Sequence, residues 1–188
     1  MAILILGLAL FLGVHLVPAL PAVRSKLFTA LGEPRYKGAF SVISAIGLVL
    51  IVIGYVKAPS EPRLFNPLPA AIMTAPFAMA VSFVLLAAAN MKTHIRRALG
   101  HPMLIGVGIW AVVHLLANGH AKAVLLFGGF LAYAAIDLVS AVLRNATRSF
   151  SPVARQDAIA VAAGVGLALL VMAFHGTLFG ARVVSWGV

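Results

Sequence analysis

Few residues in this chain can do chemistry. Its 188 positions hold six histidines, four acidic residues and no cysteine. The stretch HPMLIGVGIWAVVHLLANGH, from His101 to His120, is long enough to cross a bilayer. It contains no Lys, Arg, Asp or Glu, yet it carries His114 in its interior. A second histidine, His15, sits in the apolar run that opens the chain. An ionisable group at membrane depth costs roughly 2.5–3.5 kcal/mol on insertion scales for the charged types. A neutral imidazole costs less, but its donor and its acceptor both need partners. Two readings follow: an interhelical hydrogen bond, or a metal or haem ligand. The absence of cysteine excludes disulfides, thiolate-bound zinc, iron–sulfur clusters and a cysteine nucleophile. There is also no paired carboxylate, no phosphate-binding glycine loop and no Ser-His-Asp set at usable depth.

The elements that position these histidines must be membrane helices. Hydrophobic residues make up 63% of the chain and charged residues 10%, with a mean hydropathy of +1.10. A soluble domain of this size has no use for so much apolar surface. Six segments of near ~20 residues can span a bilayer. They are Met1–Leu20, Gly38–Val56, Pro67–Asn90, Pro102–Asn118, Ala123–Leu143 and Ala158–Gly180. Backbone groups in lipid must be paired within the segment, so the spans are α-helices and the fold class is an all-α polytopic bundle. The connections are short, so residues 1–188 read as a single domain. The first run lacks a basic leader, its first positive charge being Arg24, and reads as a span rather than a signal peptide.

Lys and Arg set the expected orientation. Ten of them lie in the first, third and fifth connections: Arg24, Lys26, Arg35, Lys37, Lys92, Arg96, Arg97, Arg144, Arg148 and Arg155. Four lie on the other side: Lys57, Arg63, Lys122 and Arg182. The positive-inside rule puts both termini outside the cytoplasm, in the periplasm if the host is Gram-negative. The net charge of +10 thus reads as an orientation signal facing membrane lipid, and nucleic acid is not an expected partner. Small residues recur at Ala160, Gly164 and Ala168, and pair up at Gly128–Gly129 and Gly106/Gly108, where helices can approach closely.

Depth and face sort the histidines. His94 lies among Lys92, Arg96 and Arg97, where solvation or a lipid headgroup is expected. His120 and His175 fall near outer helix ends and read as interfacial. His101 precedes Pro102 and suits a helix cap. It lies ~20 Å and roughly 140° from His114, too far to share a metal with it. His15 and His114 are the deep pair, and His101 is the second choice of ligand beside His15. Counted inward from Arg24 and Arg97, the deep pair lies at ~13 and ~25 Å, an offset that helix tilt of ~20° partly absorbs. Trp110 and Asn118 flank His114 at i−4 and i+4, where they can border a flat cofactor or simply pack. Asp137 is the one acid inside an expected span. It can pair with an arginine or orient a ligand histidine through its other nitrogen.

Four stretches carry a resemblance: FLGVHLVP around His15, GHPM around His101, WAVVHLLANG around His114, and LLFGGFLAY from Leu125 to Tyr133. Together they resemble the NnrU family, bacterial membrane proteins associated with denitrification and nitric oxide metabolism, and do so over nearly the whole chain. The family is similar, more distantly, to plant zeta-carotene isomerase, a membrane enzyme with haem b. That resemblance implies haem b with His15 and His114 as iron ligands. It gives His101 no ligand role. Where the isomerase has an exchanging cysteine three residues before the second ligand, this chain has Ala111, which puts isomerase activity in doubt. The leading expectation is a haem b protein of nitrogen-oxide metabolism, with a redox or nitric oxide sensor as one form of that role. The alternatives are a haem-dependent cis–trans isomerase of an apolar polyene, and a haem-free transporter or scaffold.

Overall fold

A computed structural model describes residues 1–147 and 149–180, so Arg148 and Arg182 of the charge pattern lie outside the described residues. Eight α-helices and one 3-10 turn occur among the described residues. They are α1 (Ala2–Leu16), the 3-10 turn Val17–Ala19, α2 (Pro21–Leu31), α3 (Glu33–Lys57), α4 (Pro69–Ala88), α5 (His94–Leu99), α6 (Pro102–Leu116), α7 (Ala121–Leu143) and α8 (Ala154–Phe179). Pro21, Pro34, Pro69 and Pro102 each stand in a first turn, where a missing N–H is not missed.

The elements depart from the six-segment expectation in three ways. The connection from residue 21 to 37 is itself helical, filled by α2 and by an α3 that starts at Glu33 behind Gly32, whose φ is 74°. The third connection likewise folds the short helix α5, whose N-cap Thr93 accepts from Arg96 N–H at 2.9 Å. Finally, among the described residues five helices are long and apolar enough to cross a membrane, α1 only together with its 3-10 turn (Ala2–Ala19), while α6 has 15 residues and no such extension. At 1.5 Å per residue α6 is about 22 Å long, short of a hydrocarbon core of about 30 Å.

The long helices form a row of neighbours in the order α3, α1, α7, α6, α4, α8. This differs from the expected bundle with the first and fourth spans face to face. No Cα–Cα approach joins α1 to α6, because α7 stands between them. The 117–120 connection is too short for anything but antiparallel packing of α6 and α7, and α1 takes α7's other flank.

Close backbone approach holds the row. A Cβ on Gly7 would sit 2.6 Å from Ile51 N, and one on Gly47 would sit 2.7 Å from Phe11 N, so α1 and α3 meet backbone to backbone around the buried Leu4, Leu8 and Ile51. The Ala160–Gly164–Ala168 stripe does the same for α8. Both alanines are buried, and Gly164 abuts the backbone of Val84 in α4. Between α4 and α6, the buried Ser82 hydroxyl donates to Gly106 O at 2.8 Å. Large apolar side chains face outward, with Phe77 and Leu143 each 78% exposed, as lipid contact requires.

Each end of the row is tied. At the basic end, His94 is paired, rather than merely solvated: its Nδ1 donates to Asp157 Oδ2 at 2.7 Å, and its backbone N–H donates to Oδ1 at 2.8 Å. Lys92 N–H donates to Gln156 Oε1, so α5 is docked on the start of α8. At the other end, the Lys122 ammonium donates to the carbonyls of Tyr55 and Ala58 at 3.4 and 3.2 Å, neutralising the C-terminus of α3.

Two substitutions on α8 separate packing from lipid exposure. Gly164→Leu is expected to lose about 1–3 kcal/mol through overpacking against Val84. Gly166→Leu, with nothing within 4 Å of its Cβ position, should change stability little. Thermal unfolding of the two variants in detergent measures the difference, and equal melting would refute the close α4–α8 contact.

Candidate functional site

His114 occupies the last turn of α6, and the helix backbone prepares it. Its Nδ1 lies 2.8 Å from the carbonyl oxygen of Trp110, four residues earlier. A carbonyl only accepts, so Nδ1 carries the proton, and in the neutral ring Nε2 is left with its lone pair. That is the form in which imidazole binds a metal. Aromatic rings surround it: Phe127 at 4.8 Å and Trp110 at 5.2 Å between centroids. The neighbouring imidazole is His175 of α8, at 6.3 Å with an interplanar angle of 30°. The helices α6 and α8 make no backbone contact with each other and each packs on α4, so the two rings meet through side chains alone.

His15, near the C-terminus of α1, is prepared the same way. Its Nδ1 donates to Phe11 O at 2.7 Å, and its ring stacks on Phe11 at 4.2 Å. Phe40 and Tyr133 complete its surroundings at 5.0 and 6.2 Å. His15 and His114 do not touch. A run of rings separates them: Phe11 to Phe130 at 5.8 Å, Phe130 to Trp110 at 5.4 Å, then His114. Phe130 of α7 is the central member, which follows from α7 lying between the two histidine helices.

The other expected site residues fall elsewhere. Trp110 keeps its place beside His114, packing edge-on against Phe127 and Phe130. Asn118 lies past the end of α6, off the His114 face, and its Oδ1 accepts from His120 N–H at 3.2 Å within the turn. The helix stops at Leu116, so the i+4 relation expected from the sequence does not hold there. His101 is the N-cap residue of α6 without a capping side-chain bond, at the opposite end of the helix from His114. Asp137 accepts from the Tyr133 hydroxyl at 3.4 Å and pairs with Arg144 Nη2 at 3.9 Å. It is therefore an ion-paired acid linked to His15 through Tyr133. Ala111 is fully buried, and its methyl offers no donor atom. Among the described residues, no three of His, Cys, Asp and Glu gather closely enough to hold a bare metal ion.

With this geometry in hand, the family is decided by a comparison of sequence models: the NnrU protein family matches residues 3–183. The chain belongs to the NnrU family. Neither a curated protein nor a solved structure matches it.

In this NnrU chain the segment from residue 58 to 68 folds over the turn beside His114. Leu64 N–H donates to Gly119 O at 2.7 Å, Ala121 N–H to Pro62 O at 3.0 Å, and Leu68 N–H to Leu116 O at 2.9 Å. Arg63 and His120 form an antiparallel bridge. Gly119 permits this closure, since a Cβ there would overlap the carbonyl oxygen of Phe65. The candidate site thus brings the Trp110 and Phe127 rings and His175 around His114, with the 58–68 segment bonded to the adjoining turn. Sequence reasoning missed the His114–His175 approach. The available signal was that each lies within one turn of its helix's C-terminus, on helices that run in the same direction.

Gly119→Ala tests the flap. The added methyl must push residues 58–68 off the turn, and trypsin should then cut after Arg63 roughly tenfold faster, for an opening cost of about 1.4 kcal/mol or more. An unchanged cleavage rate would show that the flap does not rest on Gly119.

Proposed function

We propose that this NnrU-family membrane protein binds haem b through His114 and serves nitrogen-oxide metabolism as a redox or nitric oxide-responsive protein. The observation that carries this reading is the His114–His175 pair: a ligand-ready imidazole with a second imidazole 6.3 Å away between centroids. A neutral imidazole would hold a haem iron through one ring nitrogen while the other is bonded to the protein, as Nδ1 of His114 is.

The residues present fit such a group in part. His114 and His175 would hold it, with Trp110 fixing the His114 tautomer through its carbonyl and packing beside its ring. His15 is equally ligand-ready, but Phe130 and Trp110 would have to leave the space between it and His114 before one iron met both. When bound, haem supplies a redox-active iron able to take a diatomic ligand. The chain's own contribution is to orient imidazole nitrogens, to surround them with aromatic rings and to exclude water behind the 58–68 flap. The nitrogen-oxide setting comes from the family resemblance. Ala111, buried and without a donor, gives no support to a thiolate-exchanging isomerase.

The proposal extends to orientation. The ten-to-four distribution of Lys and Arg favours the basic end facing the bacterial cytoplasm, α6 spanning as a short sixth helix, and both chain ends outside.

The absorption spectrum of the purified protein tests the haem reading. A Soret band is expected, and His114→Ala should weaken haem binding by a factor on the order of 10–100. His175→Ala should do the same, His15→Ala should do so only if the rings between it and His114 rearrange, and His94→Ala should not. Full haem occupancy in His114→Ala would sink the assignment, as would a wild-type protein with no Soret band after expression with ample haem. For orientation, a periplasm-active reporter fused after Val188 should be active and one inserted near Arg148 silent. The reverse pattern would overturn the proposed topology.

A further inference from the structure

The basic end holds a cavity of about 1140 Å³ that the histidine site does not use. Arg24 of α2, Arg96 and Arg97 of α5, and Arg144 just beyond α7 all line it. One carboxylate faces them, Asp137, already paired with Arg144 at 3.9 Å. Arg24 and Arg96 lie over the rings of Phe28 and Phe150 at 4.9 and 5.1 Å, and the Arg97 guanidinium has no hydrogen-bond or ion-pair partner among the described residues. Orientation in a membrane asks only that basic residues lie on one side. It does not ask four guanidinium groups from three separate elements to converge on one hollow.

A second space adjoins the first. An apolar groove of about 700 Å³ runs between the end of α1 with its 3-10 turn and the lower part of α7, lined by Leu16, Leu20, Ile136, Val139 and Leu143. Arg144 lines both spaces. Ile136 and Val139 are exposed at 54% and 58%, so the groove opens to the surroundings of the row. A basic hollow joined to an apolar furrow calls for a ligand with a negatively charged head and a hydrocarbon tail. We propose that this junction is a binding site for an anionic phospholipid, the phosphate lying among Arg24, Arg96, Arg97 and Arg144 and one acyl chain in the groove beside α7. Guanidinium groups pair with phosphate oxygens through two parallel N–H donors, which gives the head a defined seat rather than a diffuse attraction. This inference is independent of the haem reading.

The test uses the full chain, equilibrated with vesicles of phosphatidylcholine and phosphatidylglycerol in equal parts and then analysed for bound lipid by native mass spectrometry. Phosphatidylglycerol should be retained over phosphatidylcholine. Arg24→Gln and Arg97→Gln should each lower its retention roughly fivefold, the effect of one basic group near a headgroup. Both side chains are exposed, and circular dichroism checks that the helices remain. Arg35→Gln removes a charge near the start of α3 that lines neither space, and should leave retention unchanged. Ile136→Trp fills the groove without altering charge and should also release the lipid. Equal loss in Arg35→Gln would reduce the effect to diffuse surface charge and overturn the site. Displacement of the lipid by inorganic phosphate at matched headgroup concentration would show that a bare anion is the ligand and the groove plays no part. Unchanged retention in Ile136→Trp would do the same.

Discussion

Everything in this fold depends on how helices attract one another where the solvent is hydrocarbon. Burying leucine against leucine gains little when the alternative is leucine against lipid, so association rests on close contact and on polar bonds between helices. Gly7, Gly47 and Gly54 bring α1 onto α3 at backbone distance, and Gly164 brings α8 onto α4. The Ser82 bond to Gly106 O adds the α4–α6 contact. These contacts join each helix to the next, giving a row that Lys122 closes at one end by bonding α7 to the end of α3. Its order then decides the chemistry, because α7 is the wall between His15 and His114.

Helix existence was legible in the sequence because it needs only the rule that backbone groups in lipid pair internally. Five of the six apolar runs hold a helix long enough to cross a membrane, and the fourth holds the shorter α6. The connections were not legible in the same way. A proline in a connection suggests an interruption, yet Pro21 and Pro34 each stand in a first turn and start a helix. Position in the helix decides which effect a proline has, and a run of residues does not reveal it. The Ala160–Gly164–Ala168 spacing correctly marked a contact face on α8. Gly7, Gly47 and Gly54 carry the same information for α1 and α3, yet they are spread over two helices and show as a pattern only once the helices are docked.

The candidate site was legible in part for a related reason. Depth is a property of one helix, and counting residues from the charged ends isolated His15 and His114. Adjacency is a property of two helices, and it depends on order and stagger. His175 reads as interfacial when counted along α8 alone. Beside α6, whose 15 residues end early, the same position comes level with His114. The i−4 carbonyl bonds of both deep histidines were implicit in helical geometry. They answer the burial cost without an interhelical partner: the donor is satisfied locally, and one acceptor remains.

The same row sets how two of the histidines meet. The helices α6 and α8 make no backbone contact with each other and each packs on α4, so His114 and His175 approach through their side chains, with 6.3 Å between ring centroids. The 58–68 segment then ties the end of α4's lead-in to the turn after α6 by backbone bonds that involve Leu64, Leu68 and Ala121. Gly119 allows that closure, since any side chain there meets the Phe65 carbonyl. A glycine in a turn, far from any donor atom, thereby sets how closely the segment lies on the turn beside His114.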